Sequence, residues 1–570
     1  MKKNSLSTAI AAGVAGIAGL AGMANAVNLN PDGLGQVLLY PYYTVNSQND
    51  TLLSIVNTTN QGKAVKIRFL EALNSAEVLD FNLYLSPFDV WTASVVSTAG
   101  GASLRTTDTS CTVPNNVGRG EGTAFLPYEF QSNSPDIVGL IDAVGLGGSA
   151  AALTDLSVAE RVRQGHVEAI EMGTLVDEAA TTFDPLAWST HGGPITARVP
   201  ANCPALQAAW TPPSGGWVID DGRAVNAPTG GLFGAGTIVD VNFGRALSYN
   251  ADAIDGFYSP IGLAVEANGT TADLHFEPGS VFPNLSQART NADGSSTARM
   301  FDNGALATAT YVNGLDAVSA VLMSRFIYNE YNLDTNLAAA SEWVVTFPTK
   351  RLHTYGQRVG LDTRPFSDNT ETGEDPDLLD GEVFDTFGIC EIYTLARYDR
   401  EEFTPGATFG PPPVSPRPPG VAAIFPQLCW ESNVIAFNQT LTATTETAVL
   451  GALPTQGAHG LNINAGSNTF VTGWARIEFN DPRNLAGVFT NYMVSQDLNP
   501  VAIIGLPTIG FWAADYTNNF VGGNIRANFS GLHKHRADRD GYLLGSGAIA
   551  PAFGTDLNTA GLLSWTSSSP

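Results

Sequence analysis

The chain has few basic residues and no long hydrophobic segment. Lysine and arginine total 28 against 54 aspartate and glutamate residues, which gives a net charge of −26 over 570 residues. A chain of this charge repels nucleic acid and anionic membrane surfaces, so we expect neither as a partner. No stretch reaches the roughly 20 apolar residues that a membrane helix requires, so we also expect no membrane span.

The sequence also lacks the short motifs of common enzyme classes. It contains no G-x-S-x-G nucleophile turn, no H-E-x-x-H zinc motif and no G-x-x-x-x-G-K-[ST] phosphate loop. Gly234-Ala235-Gly236 begins like a dinucleotide fingerprint, but the third glycine is missing and a tight turn is the simpler interpretation. These absences favour a non-enzymatic protein, for which we predict no catalytic or cofactor-binding residue.

The first 26 residues have the pattern of a secretory signal peptide. Lys2 and Lys3 precede a short apolar stretch over 10–20, and Ala24-Asn25-Ala26 supplies small residues for a peptidase. We therefore expect cleavage before Val27 and a protein that is secreted, periplasmic or on the cell surface.

Cysteine is scarce, and all four residues follow the signal peptide. An even number in an oxidising compartment favours two disulfides, and four cysteines allow three pairings. Strand-like segments flank the Pro-rich stretch between Cys390 and Cys429, and we expect a disulfide to join these two residues at the base of that loop. Cys111 then pairs with Cys203.

Alternation with a period of two is the strongest structural signal. Val65, Ile67 and Phe69 alternate with charged residues, and similar patterns recur over 79–85, 91–95, 236–241, 318–326, 343–347 and 475–479. Short helices are predicted over 154–163, 185–189 and 204–210. The chain is therefore predicted to be mainly β, with immunoglobulin-like β-sandwich modules and an α-containing insertion. The predicted divisions are 27–105 (N-terminal sandwich), 106–236 (mixed insertion), 237–365 (β-rich) and 366–570 (β-rich, with acidic and Pro-rich loops).

Two groups of side chains are candidate metal ligands. His533 and His535, two apart on a strand, would project from one face, with Asp538 as a further ligand for a transition metal. Lys534 lies between the histidines and opposes a cation, so a charged surface turn is the plainer interpretation.

The second group is acidic and would suit calcium. Asp375, Asp377 and Asp380 lie in one loop, and carboxylates are the ligands that this cation prefers. No EF-hand spacing is present, and runs of acidic residues are usually solvated. Calcium is the one cofactor that the sequence suggests.

Carbohydrate chemistry is the alternative function class. Glu168 and Glu171 would point to opposite faces of a strand and so would not act as a catalytic pair. Trp91, Trp343 and Trp430 lie in apolar strands, where core packing is the simpler role. An acidic cleft lined by exposed tryptophans would favour a carbohydrate-binding or carbohydrate-hydrolysing protein.

Three segments resemble an uncharacterised family of exported cell-surface proteins of Gram-negative bacteria. They read GQVLLYPYY at 35–43, LDFNLYLSP at 79–87 and EWVVTFPTK at 342–350. The resemblance implies location only, since no activity, ligand or catalytic residue comes with it. The sequence thus favours a non-enzymatic structural or adhesive protein that assembles with itself, with other surface proteins or with glycans.

Overall fold

The computed structural model describes residues 26–126, 158–178, 182–194, 196–262, 274–302, 305–354, 365–366, 391–401, 426–442, 444–464, 470–479, 491–497, 500–521, 525–543 and 563–564. Within them strands far outnumber helices, so the chain is mainly β, as the period-two patterns predict. The described residues contain no helix that is long and apolar enough to cross a membrane.

The described residues of the first half of the chain form sixteen strands. They are β1 Asn28–Leu29, β2 Val37–Thr44, β3 Asp50–Asn57, β4 Gly62–Glu71, β5 Glu77–Leu85, β6 Val90–Thr98, β7 Gly101–Arg105, β8 Cys111–Val113, β9 Thr123–Ala124, β10 Gln164–Leu175, β11 His191–Gly192, β12 Val199–Pro200, β13 Val225–Asn226, β14 Leu232–Asp240, β15 Arg245–Asn250 and β16 Asp252–Asp255.

The second half supplies the remaining described strands. They are β17 Ser296–Asp302, β18 Ala305–Tyr311, β19 Met323–Ser324, β20 Phe326–Asn332, β21 Ala339–Thr346, β22 Glu391–Ile392, β23 Thr394–Asp399, β24 Gln427–Leu428, β25 Ser432–Phe437, β26 Ala458–Leu461, β27 Thr472–Glu478, β28 Tyr492–Val494, β29 Val501–Ile504, β30 Leu506–Pro507, β31 Ile509–Val521, β32 Ile525–Lys534, β33 Arg536–Asp538, β34 Asp540–Leu543 and β35 Leu563–Ser564.

The α-helices in the described part of the chain are short. They are α1 Val158–Arg161, α2 Pro185–Ser189, α3 Cys203–Ala209, α4 Gly216–Ile219, α5 Gly314–Leu322 and α6 Lys350–Thr354. Two of the helices predicted from the sequence have side-chain caps at their N-termini. Asp184 Oδ1 accepts from Ala187 N in α2, and Asn202 Oδ1 accepts from Ala205 N in α3.

Two antiparallel sheets pack face to face in the N-terminal half. The eight-stranded sheet has the order β1-β16-β2-β10-β4-β5-β8, with β13 paired to β10, and the six-stranded sheet has the order β15-β14-β3-β6-β7-β9. Val65 and Ile67 of the first sheet and Ile55 and Trp91 of the second lie in one buried core. Strand β10 and the first half of β14 fall within 106–236, so part of the predicted insertion belongs to these two sheets.

A second pair of sheets forms in the C-terminal half. The five-stranded sheet β26-β25-β21-β31-β32 packs on the four-stranded sheet β23-β27-β20-β33. Trp343 and Ile435 of the first and Ile327 and Ile477 of the second share a buried core. Strands β25 and β26 are parallel, whereas the other pairings within these two sheets are antiparallel.

The five-stranded sheet contributes to both cores. Trp512 of β31 lies in the C-terminal core, whereas the neighbouring Phe511 packs on Tyr42 and Tyr249 of the N-terminal half, with ring centroids 6.4 and 5.4 Å away. Adjacent residues of a strand point to opposite faces, so this sheet is buried on both sides.

One strand prediction is wrong. The apolar run at 318–326 was expected to be a strand, but its first part is helix α5, and only Met323–Ser324 and the start of β20 are extended. Asn313 caps the helix, since its side chain accepts a hydrogen bond from Asp316 N. All residues of α5 are buried, and an apolar run without a polar face has no periodicity that separates helix from strand.

Candidate binding face

The predicted transition-metal ligands each have a protein partner. The His533 ring stacks on Trp512, with centroids 5.5 Å apart. Both ring nitrogens of His535 are hydrogen-bonded, Nε2 to Val344 O at 2.9 Å and Nδ1 to Asn329 Nδ2 at 3.1 Å, and burial lowers its pKa to about 4. These contacts do not join the two histidines and Asp538 into a ligand set.

The predicted calcium ligands Asp375, Asp377 and Asp380 lie outside the described residues. Among the residues that the structure does describe, no group of three or more His, Cys, Asp or Glu side chains could hold a metal ion. Calcium and the transition metal both stay predictions.

The exposed face of the four-stranded sheet carries an unusual set of side chains. In β20 and β27, the inward residues Ile327, Ala475 and Ile477 pack in the core. The residues between them face outward and, by strand register, lie beside those of β23 and β33. We call this surface the aromatic face: Phe326, Tyr328, Glu330, Tyr398, Trp474, Arg476, Glu478, Arg536 and Asp538.

Four aromatic rings follow one another across the aromatic face. Tyr398 and Trp474 are cross-strand partners whose rings stack with centroids 4.1 Å apart and planes 14° apart. Tyr328 lies 6.3 Å from Trp474, and Phe326 lies 6.1 Å from Tyr328. Trp474 is 40% exposed and its side chain is not part of the core. The row therefore presents apolar surface to solvent.

Guanidinium groups lie among these rings. The Arg476 guanidinium is 4.7 Å from the centre of the Phe326 ring, a cation–π distance. Arg325 forms an ion pair with Glu478 at 2.8 Å, whereas Arg476 and Arg536 form no ion pair with any described residue. Glu330 and Asp538 lie on the same face, so Arg476 and Arg536 supply two donors for an anionic group beside carboxylates, and the surface carries charges of both signs.

Hydrogen-bonding groups complete this surface. The Tyr328 hydroxyl lies 3.4 Å from Asp538 Oδ2, and burial followed by the nearby Asp538 charge raises the pKa of Tyr328. Beside Tyr328 and Trp474 is a depression of about 480 Å³, whose wall also includes Glu330, His533 and Arg536. Its size lies within the range of small-molecule sites.

Sequence reasoning missed the aromatic face, although one signal was available. Ala475 and Ile477 were recognised as inward residues of a strand. The alternation therefore places Trp474 outward, at a position where a sheet with one solvent-exposed face normally has a polar residue. A tryptophan at such a position is a binding candidate, whereas Trp91 and Trp343 are buried, as predicted.

A second depression, of about 560 Å³, lies beside the short helices. Trp210, Trp217, Asp221 and Glu277 are among the residues that line it. It partly matches the acidic, tryptophan-lined cleft of the carbohydrate hypothesis. However, Trp217 is 1% exposed, so its ring is part of the core rather than a free stacking surface.

A polar chain underlies this second depression. Trp210 Nε1 donates to the Tyr84 hydroxyl at 2.9 Å, and that hydroxyl lies 2.9 Å from Nε2 of His275. His275 Nδ1 lies 2.8 Å from the backbone oxygen of Asp221. Burial lowers the pKa of His275 to about 4, so the ring is neutral at pH 7. Every polar ring atom has a partner, which is the pattern of a structural network.

The buried carboxylates of β10 do not form a catalytic pair. Glu168 pairs with Arg68 at 2.7 Å and Glu171 with Lys63 at 2.8 Å. Ser319 and His353 have an Oγ to Nε2 distance of 2.7 Å, which would suit a nucleophile and its base. Ser319 is fully buried in α5, so this hydroxyl has no direct access to a substrate.

The predicted disulfide between Cys111 and Cys203 is present. It joins the start of β8 to the start of α3 and so fixes the short helices against the edge of the eight-stranded sheet. Cys429 is disulfide-bonded as well. Cys390 lies outside the described residues, so its pairing with Cys429 stays a prediction.

No family model, curated protein or solved structure matches the chain.

Proposed function

We propose that this chain is an exported, non-enzymatic adhesive protein that binds glycans on the aromatic face. The observation that carries the proposal is the stack of the half-buried Tyr398 on the exposed Trp474, in line with Tyr328. A sugar ring has C–H groups on its two faces and hydroxyl groups at its edge. The faces pack on aromatic rings, whose negative π surface attracts C–H groups.

The polar residues of the aromatic face define the class of glycan. Glu330 lies next to Trp474 in the register, where its carboxylate can accept hydrogen bonds from sugar hydroxyl groups. Arg476 and Arg536 flank Tyr328 on neighbouring strands and can donate paired hydrogen bonds to a carboxylate. We therefore expect glycans that contain uronic acids to bind more tightly than neutral ones.

Three further features support an adhesive role outside the cytoplasm. The signal-peptide pattern, the resemblance to exported surface proteins and the disulfides all favour an oxidising compartment. The packed antiparallel sheets suit immunoglobulin-like sandwich modules, and we propose that the chain contains such modules. These modules are frequent in cell-surface proteins.

The experiment is a binding titration of the exported protein with two hexasaccharides, one of galacturonic acid and one of neutral glucose. We expect the uronic acid hexamer to bind more tightly and its affinity to fall with salt. Trp474→Ala should weaken binding at least tenfold, and Trp474→Phe should retain part of the affinity. Phe301→Ala is the control, because Phe301 is 66% exposed and lies outside the aromatic face.

Absence of binding to both hexamers, or equal affinities of wild type and Trp474→Ala, would refute the proposal. An assay for new reducing ends on the same samples separates binding from the alternative, carbohydrate hydrolysis. We expect none to form.

A further inference from the structure

The outer face of the six-stranded sheet differs from the rest of the chain in its charge. Outward positions of β3, β6, β14 and β15 are neighbours in the register, and each is half-buried or exposed. We call this surface the neutral face: Leu52, Ser54, Val56, Val90, Thr92, Ser94, Val96, Phe233, Ala235, Thr237, Val239, Ala246, Ser248 and Asn250. None of these side chains carries a charge.

The neutral face also has an exposed apolar row. Phe233, Val56 and Val90 are consecutive cross-strand partners, and Leu52 lies two outward positions further along β3, beyond Ser54. Phe233 is 40% exposed, Val90 46% and Leu52 44%. Antiparallel sheets with one solvated face normally carry polar and charged residues on that face. An uncharged apolar surface of this size usually marks an interaction site.

The charged residues beside this surface lie at its margin, and they include Asp108, whose Oδ2 accepts from Thr92 N at 3.1 Å. Asp50 ends the outward row of β3, and burial raises the pKa of its carboxyl, an effect that Arg105 opposes. Arg105 pairs with Ser94 across β6 and β7 and is exposed. An uncharged centre with a charged margin is the composition of a protein interface.

We propose that a second copy of this chain packs on the neutral face. The net charge makes two copies repel each other over most of their surfaces, so they can approach closely only where that charge is absent. The neutral face meets this condition. It also presents the same residues on both copies, as a two-fold interface requires.

The area suits a weak contact. Four strands about 4.8 Å apart, with outward residues over about 17 to 24 Å, cover about 390 Å². Two copies would therefore bury about 800 Å² in total, which is the size of a weak, transient interface. Two sheets that face each other at about 10 Å would interdigitate the Val, Leu and Phe side chains, as the sheets inside a sandwich do.

The test is the mass of the exported protein in sedimentation equilibrium from 1 to 100 μM. We expect a concentration-dependent dimer for the wild type. Val90→Lys places an unpaired charge at the contact, once from each copy, and should raise the dimer dissociation constant about 30-fold or more. Phe233→Lys, in the same apolar row and 40% exposed, should act in the same direction and serves if Val90→Lys folds poorly.

Val199→Lys is the matched control. Val199 is 51% exposed against 46% for Val90 and lies in β12, outside the neutral face, so this variant should dimerise like the wild type. A wild-type mass that stays monomeric to 100 μM would overturn the proposal. So would association of both neutral-face variants at wild-type strength, because the contact would then lie elsewhere. The hexasaccharide titration reports on the other proposal separately, since neither variant changes the aromatic face.

Discussion

The buried ion pair between Lys63 and Glu171 gives the sharpest stability prediction. Both side chains are fully buried, and Lys63 Nζ lies 2.8 Å from Glu171 Oε1. The carboxylate also accepts hydrogen bonds from the backbone nitrogens of Thr229 and Gly230, at 3.0 and 2.7 Å. The pair therefore links β4 and β10 to the segment that leads into β14.

Lys63→Met removes the cation and leaves a buried carboxylate with neutral donors only. Breaking a buried pair in this way costs about 3 to 5 kcal/mol of folding free energy, because the remaining charge stays desolvated. Burial already raises the pKa of Glu171, and Lys63 is the largest opposing effect. In Lys63→Met the pKa of Glu171 should rise further. The loss of unfolding free energy relative to the wild type should therefore be largest at pH 7, and it should shrink as acid protonates the Glu171 carboxyl in the folded protein.

Urea unfolding followed by tryptophan fluorescence at pH 7 and pH 5 measures this effect. The control is Lys534→Met, which breaks a 2.6 Å pair with Asp252 in which the lysine side chain is 39% exposed. Such pairs are worth about 1 kcal/mol or less. If Lys63→Met costs no more than Lys534→Met, the reasoning about burial is wrong.

Two further predictions concern acid stability and processing. The folded-state pKa of His275 is about 4, against an ordinary value near 6.5. The neutral ring therefore contributes fully to the free energy of unfolding above pH 6.5. This contribution falls by about 1.4 kcal/mol per pH unit on acidification towards pH 4. The free energy of unfolding of His275→Gln should therefore fall less than that of the wild type over this pH range. If the two proteins lose the same free energy between pH 6.5 and pH 4, the lowered pKa of His275 is contradicted. Non-reducing peptide mapping of exported protein should give an N-terminus at Val27 and a Cys390–Cys429 crosslink. An intact Met1 or a free thiol at Cys429 would count against that processing.

The sequence predicted the strands whose two faces differ in polarity. Val65, Ile67 and Phe69 alternate with charged residues, and β4 is where that pattern predicts a strand, although the charged side is buried too and Lys66 and Arg68 form ion pairs there. Helix α5 was missed because its residues are buried on all sides and mostly apolar, which leaves no alternation to detect. Local pattern therefore identifies an element only when its faces differ in residue type, whether or not solvent lies on one side.

The binding surfaces were harder to predict because they depend on register. Tyr398 and Trp474 are 76 residues apart in sequence, and only the pairing of β23 with β27 stacks their rings. The neutral face has the same origin, since it combines residues from β3, β6, β14 and β15. Nothing in any one of these strands reveals that its neighbours also lack charge.

The sheet buried on both sides has a consequence for how the chain can be divided. Along β21 and β31, consecutive side chains alternate between two cores: Val344 and Phe511 face the N-terminal half, and Trp343 and Trp512 face the C-terminal half. A cut between β16 and β21 would expose Tyr42 and Tyr249 on one fragment and Phe511 on the other. The two pairs of sheets therefore share the five-stranded sheet, and recombination could not exchange one pair without the other. A pulling force that separates one pair would also remove side chains from the core of the other.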